Sequence, residues 1–452
     1  MLQRLLQAVD QETLQCKLFC FWNSGGTACF YAFLPLAYSR LGLQPSSIGL
    51  LVGLAPLFRC VSSPLWGAFA DARQAHRAVL CTSVALASAL HCLLPACPPS
   101  LLVLLPLVFF AESAVAPTGP LADAAIGLTL ARLGRPFTDY GRQRLWGAVS
   151  WGFVFAPLVG ALQTFAPPRT ATVAPYVLHV ACNGLALAAA LRLAQPSDAG
   201  PPKEGVQRRS LREVLTQCHA AVRATPGATL RLLLFCYLGA VMGTIDGFLF
   251  LWLSHLGGSD ALLGLALTVT CVAETAVFYY AGAIQQRLGV RGCLHLVAAC
   301  YITRLLWYSA LPLLGSPWAV LPVQLCHGIT FGLYWAVGNG YARTLAPGLE
   351  PSMQAVFAGL NSLGSFLGNT LGGLLVQRAG FRPLFLLLAA GCVLAAGALA
   401  LQPGRSGAAA EEGVALAELR VGGGEEMEGL LGEAGAGSGG LQPECTAETE
   451  QR

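Results

Sequence analysis

Apolar residues run along this chain in blocks of about twenty or more, parted by short polar connections, as in helices that cross a ~30 Å hydrocarbon core. The blocks fall at residues 16–38, 46–70, 78–97, 100–130, 144–165, 173–193, 229–254, 261–284, 292–314, 317–343, 353–377 and 382–402. They predict an all-α membrane protein with twelve transmembrane helices in two six-helix bundles. The fourth and tenth blocks are long enough to extend beyond the bilayer. On this division, residues 1–15 form an N-terminal segment, 16–193 the first bundle, 194–228 a linker, 229–402 the second bundle and 403–452 a tail.

Composition supports the membrane assignment. Hydrophobic residues make up 55% of the chain and charged ones 11%, with a mean hydropathy of +0.61, whereas soluble domains carry ~25% charge. Arginine and lysine gather in alternate connections: Arg73 and Arg77; Arg132, Arg135 and Arg142; Lys203, Arg208, Arg209, Arg212 and Arg223; Arg287 and Arg291. The other connections hold mainly Arg40, Arg169, Arg378 and Arg382. By the positive-inside rule both termini are expected in the cytosol, at the plasma membrane or an organelle membrane. The first fifteen residues have no separate apolar core and the first span no small-residue cleavage site, so no removable signal peptide is expected. Residues 403–452 carry ten acids against three arginines, a composition expected to stay disordered. Without them the chain has 24 basic and 13 acidic residues, a net charge of +11 in place of +4. Anionic lipid head groups suffice to explain the basic linker, and no nucleic-acid partner is called for. Within it, Ser210-Leu-Arg-Glu213 has the form of a capping box.

The sixteen cysteines mostly stand singly within spans, as small packing residues do. No metal-ligand spacing occurs, and no cofactor is implied. Cys92 and Cys97 are the close pair on the non-cytosolic side, where burial is favoured over a disulfide. Gly364, Gly368 and Gly372 form a small-residue ridge for close helix packing.

The informative residues are polar ones within apolar blocks, since an ionisable group in a span marks an interior face or a functional site. The first block holds Asn23, suited to a polar cavity or to a hydrogen bond with a neighbouring helix; the second holds Arg59, read as facing inward. Glu112 and Asp123 lie eleven residues apart in the fourth, on one face of a continuous helix. Glu112 also admits an interfacial reading, while Asp123 is placed to meet Arg144. Arg144 and Trp151, seven residues apart, suit a guanidinium grip with an aromatic plate beside it, or else an interface anchor and a core tryptophan. Asp246, Glu274, Arg304 and His327 repeat the pattern in the second half. They are expected to converge or to pair, and neighbouring charges would make His327 responsive to protons.

Three stretches carry a family resemblance. Trp66-Gly67-Ala-Phe-Ala-Asp71-Ala-Arg73-Gln-Ala-His76-Arg77 resembles the loop between helices two and three of the major facilitator superfamily, with Ala72 where a basic residue is usual and Gln74 where a second glycine is usual. The resemblance implies that Gly67, Asp71, Arg73 and Arg77 form a conformational latch. A weaker echo, Gly282-Ala-Ile-Gln-Gln286-Arg287-Leu-Gly289-Val-Arg291, lies at the corresponding place in the second half. Tyr140-Gly-Arg142-Gln-Arg144-Leu-Trp146-Gly147-Ala-Val-Ser-Trp151 is similar to the start of helix five in the lactose-permease branch, which also includes phenylpropionate and nucleoside permeases. That likeness implies substrate contacts for Asp123, Arg144 and Trp151. Glu274, Arg304 and His327 match the branch's acid, arginine and histidine in helices eight, nine and ten, while Thr330 stands where lactose permease has its proton-releasing glutamate. Gln324 to Ala336, with Val272-Ala-Glu274 and Tyr279, resembles the eukaryotic domain-containing protein 6 group of the superfamily still more closely.

The expected function is secondary active transport of a small organic solute, a sugar, nucleoside or aromatic acid, by alternating access with proton coupling. Asp123, Arg144, Trp151, Glu274 and Asn23 would bind substrate; His327, Arg304, Asp246 and Glu274 would handle protons. A monomer in the bilayer is expected, and not an enzyme, because no nucleophile and base pair or phosphate loop appears. The alternative is a non-transporting receptor or scaffold that retains the fold, with the tail or linker binding its partner.

Overall fold

The computed structural model describes residues 10–135, 139–195 and 211–402. Residues 196–210 of the linker, including Ser210 of the expected capping box, and the acidic tail from Pro403 lie outside them. Helices account for nearly all the described chain. α1 is Leu14–Tyr31, continued after a turn by Leu34–Arg40; α2 is Pro45–Arg73; α3 is His76–Ala96; α4 is Leu101–Arg132; α5 is Tyr140–Phe165; α6 is Pro168–Ala190. A largely exposed helix, Leu211–Ala224, precedes α7, Ala228–His255. Residues 260–288 and 290–314 form α8 and α9, Pro317–Gln324 and Gly328–Leu345 form α10, Glu350–Ala379 is α11, and Phe381–Ala400 is α12. Most of these are long and apolar enough to cross a membrane.

Local chemistry explains the ends and breaks. Pro45 and Pro168 open α2 and α6 in the first turn, where no N–H is needed. The Ser259 side chain caps α8 by accepting from the Leu262 N–H at 3.3 Å. Pro117 breaks α4 into Leu101–Val115 and Thr118–Arg132. The connection expected over residues 285–291 is instead helical on both sides of Gly289, whose φ of 63° takes the whole reversal without a Cβ clash. Two spans contain π-helical turns, Val149–Phe155 in α5 and Gly328–Leu333 in α10, and the two parts of α10 meet at 48°.

The glycine ridge of α11 lies on α7. A Cβ on Gly364 would come within 2.0 Å of the Cys236 carbonyl oxygen, and one on Gly368 within 2.3 Å of that of Ala240, so the two backbones touch. The seam between α1–α6 and α7–α12 is built in the same way. Cβ atoms on Gly49, Gly160 and Gly264 would approach the carbonyl oxygens of Asn369, Asp260 and Ala156 to 2.2, 2.4 and 2.6 Å. Arg40 pairs with Asp260 at 2.6 Å, Thr268 donates to the Gly152 carbonyl at 2.7 Å, and the Ala261 N–H donates to Thr164 at 2.8 Å. All of these lie at the end that carries the α1–α2, α5–α6 and α7–α8 connections. One apolar core runs through both halves there, whereas a second cluster at the other end, around Phe19, Leu80, Ala125, Ile126 and Ala190, draws only on α1–α6. The halves therefore join at one end and part toward the other.

At that parted end the chain's start is tied to the α4–α5 connection. Arg135 bonds Asp10 and reaches Glu12 at 2.7 Å, and Thr13 donates to Asp10 at 2.8 Å. Burial pushes the Asp10 carboxyl up, but the Arg135 and Thr13 hydrogen bonds and the charges of Lys17 and Arg135 outweigh it and hold the group at about 2.

Candidate functional site

In the first half, Arg144 Nη1 and Asp123 Oδ1 form an ion pair at 3.1 Å, with the side chains 51% and 38% exposed although both lie within apolar spans. Tyr140 and Cys20 adjoin this pair. Arg144 lies in the α-helical start of α5 and Trp151 in its π segment, so the regular two-turn spacing expected from the sequence is interrupted between them. Trp151 is half-buried against the shared core. Its neighbour Gly152 meets α8, where a Cβ would come within 2.4 Å of Cys271, one turn before Glu274. This contact carries the first half's site elements to those of the second.

There Glu274, Arg304 and His327 form one network. Arg304 Nη1 donates to Thr330 Oγ1 at 2.6 Å and lies 3.1 Å from His327 Nδ1, while its Nε donates to Tyr308 at 2.9 Å and its Nη2 to Gln324 at 3.3 Å. An arginine always donates, so Nδ1 of His327 presents a lone pair; Nε2 carries the hydrogen and donates to Glu274 Oε1 at 2.9 Å. Every link is satisfied with the imidazole neutral and Glu274 ionised. Arg304 is 2% exposed, which suits a guanidinium whose donors are met. Asp246 is different. It is exposed within a span, within the electrostatic reach of Arg304 and Glu274, and receives no hydrogen bond or ion pair from any described residue.

A third group, largely missed from the sequence, lies within α1–α6. Arg59 Nε is 3.1 Å from Glu112 Oε2, and Tyr31 Oη is 3.1 Å from Glu112 Oε1 and 3.2 Å from His91 Nε2. His91 Nδ1 is 3.2 Å from His179 Nε2, and His179 Nδ1 donates to the Gly26 carbonyl at 2.7 Å. Glu112 is 3% exposed. Its interfacial reading fails because the side chain is buried against Arg59 of α2 and Tyr31 of α1. Asn23 does not join Asp123 and Arg144; it lines a cavity of about 270 Å³ with Arg59, Ser88, His91, Thr118 and Asn183. The available signal for His91 and His179 was each histidine's isolation in an apolar span, with Asn183 one turn beyond the second.

The latch stretch ends α2. Asp71 Oδ1 lies 2.8 Å from His76 Nε2. Arg73 lies over the Phe69 ring at 5.9 Å, Arg77 donates to the Leu193 carbonyl at 3.1 Å, and Gly67 has open space where a Cβ would be. Gln74 sits at φ 48°, the sole non-glycine with positive φ among the described residues, where the family usually has glycine. Its amide donates to the Asp71 carbonyl at 2.8 Å, which offsets part of a left-handed cost of roughly 1–2 kcal/mol. Among the described residues no group of His, Cys, Asp and Glu could hold a metal ion.

Residues 13–387 match the model of the MFS_1 like family. The chain is 30% identical to the human major facilitator superfamily domain-containing protein 6-like over 142 residues, 31% of this chain, and it spans only about a quarter of the length of such relatives. It is 27% identical to the maltose permease of Geobacillus stearothermophilus over 74% of this chain and 80% of the permease. Among solved structures, the nucleoside transporter NupG superposes with a TM-score of 0.73 at 16% identity, covering 87% of this chain and 99% of that one. A D-xylose-proton symporter gives 0.60 at 14% identity, over 86% and 97%. With long apolar helices in two packed halves among the described residues, isolated charges within them and a family match over residues 13–387, this chain is a multi-pass membrane protein of the MFS_1 like family, a major facilitator.

Proposed function

We propose that this chain is a secondary transporter that moves a small organic solute by alternating access, driven by protons. The observation that carries this reading is the half-exposed Asp123–Arg144 pair inside apolar spans, linked through Gly152 and Cys271 to the Glu274–His327–Arg304 network. Charge in a span is expensive, and partial exposure indicates a water-filled cleft for polar cargo. The relatives named for maltose, nucleosides and D-xylose favour a sugar or nucleoside, with aromatic acids as a third class.

In this reading Arg144 and Asp123 hold the solute, Trp151 packs on its flat face, and Glu274 completes the contacts. Glu274, His327, Arg304 and Asp246 respond to protons. Because Thr330 does not ionise, the carboxylate of Asp246, which has no hydrogen bond or ion pair among the described residues, is the group in this set freest to take a proton. Residues 16–193 and 229–402 rock as two bodies, with Gly67, Asp71, Arg73 and Arg77 as the latch at the parted end. Both termini are cytosolic, the glycine seam closes the opposite side, and a monomer suffices.

Replacing Arg144 with lysine keeps the charge and removes the planar fork. In proteoliposomes Arg144→Lys should lower uptake by about 100-fold or more, as loss of a charged hydrogen-bond pair of roughly 3 kcal/mol implies, at unchanged membrane insertion. Uptake with unchanged affinity would refute the site.

A further inference from the structure

The hydrogens of the buried relay in α1–α6 can be counted. Its four links run Gly26 carbonyl, His179, His91, Tyr31, Glu112, and each needs one hydrogen between its heavy atoms. The Gly26 carbonyl can only accept, so His179 Nδ1 bears a hydrogen and its Nε2, when the ring is neutral, has a lone pair. His91 Nδ1 must then donate to it, which leaves His91 Nε2 a lone pair facing Tyr31. The single hydroxyl hydrogen of Tyr31 can go to His91 or to an ionised Glu112, but not to both. Four links share three hydrogens, and one acceptor faces another across about 3 Å. The Glu274–His327–Arg304 network shows no such deficit.

We propose that this relay is a proton-binding site: one proton entering at Glu112 completes all four links and releases Arg59 from its ion pair. With Glu112 protonated, its hydroxyl donates to Tyr31, Tyr31 donates to His91, and both imidazoles stay neutral. No other arrangement of one added proton leaves both rings uncharged in this apolar setting. Release has a place to act, because Arg59 lines the 270 Å³ cavity and its side chain is 41% exposed. That cavity also has the buried Ser88 hydroxyl, which lacks a hydrogen-bond partner among the described residues. A freed guanidinium there would take a carboxylate or phosphate group, or water.

The surroundings contain the groups that would compete. α1 brings Tyr31 and, in its continuation, Tyr38 within electrostatic reach of Glu112; α2 brings Arg59, α3 His91, α4 Glu112 and α6 His179; the part of α5 packed on α6, Ala156–Phe165, has no titratable side chain. Phe30 stacks on His91 with centroids 4.0 Å apart and holds the ring in line. The Asn183 amide lies 3.2 and 3.3 Å from the two His179 nitrogens, nearly equidistant and so along neither lone pair.

The use of this proton rests on the transporter reading, but its binding does not, and the test needs no transported solute. Full-length protein in nanodiscs, with ¹⁵N-labelled histidine, is titrated between about pH 8 and pH 5, the range in which ordinary histidines titrate, while infrared difference spectra follow carboxyl groups. We expect a protonated-carboxyl band to appear on acidification and to vanish in Glu112→Gln, with the His91 and His179 rings neutral throughout and their hydrogen-bond shifts moving together with the band. In Tyr31→Phe the band should persist and the joint ring shifts should be lost. Asp246→Asn should leave both signals in place. Titration of His91 or His179 to imidazolium in this range, or a carboxyl band unchanged by Glu112→Gln, would overturn the proposal. Since neither outcome depends on flux, a failure here is distinct from a failure of the transport reading.

Discussion

Single residues show how far isolated charge can be read and where it misleads. Asp123 and Arg144, and Glu274 with Arg304 and His327, were legible because an ionisable side chain in an apolar block cannot be solvated by lipid and must find water or a partner. Both sets found partners, at 3.1 and 2.9 Å for Asp123–Arg144 and Glu274–His327. His91 and His179 escaped notice because a lone neutral histidine in a span reads as a packed core residue, and only the fold brings the two rings within 3.2 Å. Glu112 keeps two readings in the sequence for a related reason: nothing local marks Tyr31 and Arg59 as its neighbours. Asp246 supports a prediction at this scale. A carboxylate in a span with no partner among the described residues opposes folding, so Asp246→Asn should raise stability by about 1 kcal/mol while impairing coupled uptake. Thermal unfolding in detergent, with uptake measured alongside, checks both; a clear loss of stability would mean that the carboxylate has a structural role.

Among the elements, the twelve apolar blocks map onto helical passes because span length follows bilayer thickness, but their interruptions did not show in the hydropathy. The π turns in α5 and α10 have no sequence signature, yet each adjoins site residues, one entering at Val149 just before Trp151 and the other following His327. Glycine placement was legible only in part. The α11 ridge stood out as a repeat, whereas Gly49, Gly160 and Gly264 gain meaning from the carbonyls they face. A Cβ at Gly160 would come within 2.4 Å of the Asp260 carbonyl oxygen. Gly160→Val should therefore weaken the α5–α8 seam by about 1–3 kcal/mol, the usual cost of overpacking. Hydrogen exchange of backbone amides in residues 260–268 should then quicken by about tenfold or more; unchanged exchange would show that the seam yields without opening.

At the opposite end, the tie between Asp10 and Arg135 links the start of the chain to the α4–α5 connection. Its pH dependence follows from the lowered carboxyl, held at about 2. An acid whose folded value lies below its ordinary ~3.9 stabilises fully above that value, and the stabilisation disappears as pH falls through the folded one. The tie should thus be complete near neutral pH and break only between about pH 4 and pH 2. Raising salt at neutral pH, or Arg135→Ala, should loosen it instead, which limited proteolysis of the N-terminal segment can follow.

For the whole molecule, fold and function stand on different footing. The two-half architecture follows from apolar periodicity and the family match, because both depend on features spread over hundreds of residues. On the transport reading, the cargo would be set by the few side chains around Arg144, whose charges suit several polar solutes equally. The seam and the parted end describe a molecule closed on one side, in keeping with one state of an alternating cycle. Coupling is where the chain departs most from the lactose-permease pattern, since Thr330 accepts from Arg304, donates to the His327 carbonyl and does not ionise. The most direct measurement is solute flux into proteoliposomes with and without an imposed pH gradient, across sugars, nucleosides and aromatic acids. A proton-coupled transporter should accumulate one class against its gradient only while the pH gradient lasts, and Arg144→Lys should abolish that accumulation. Absence of flux for every class, in protein shown to be folded and inserted, would contradict the assignment.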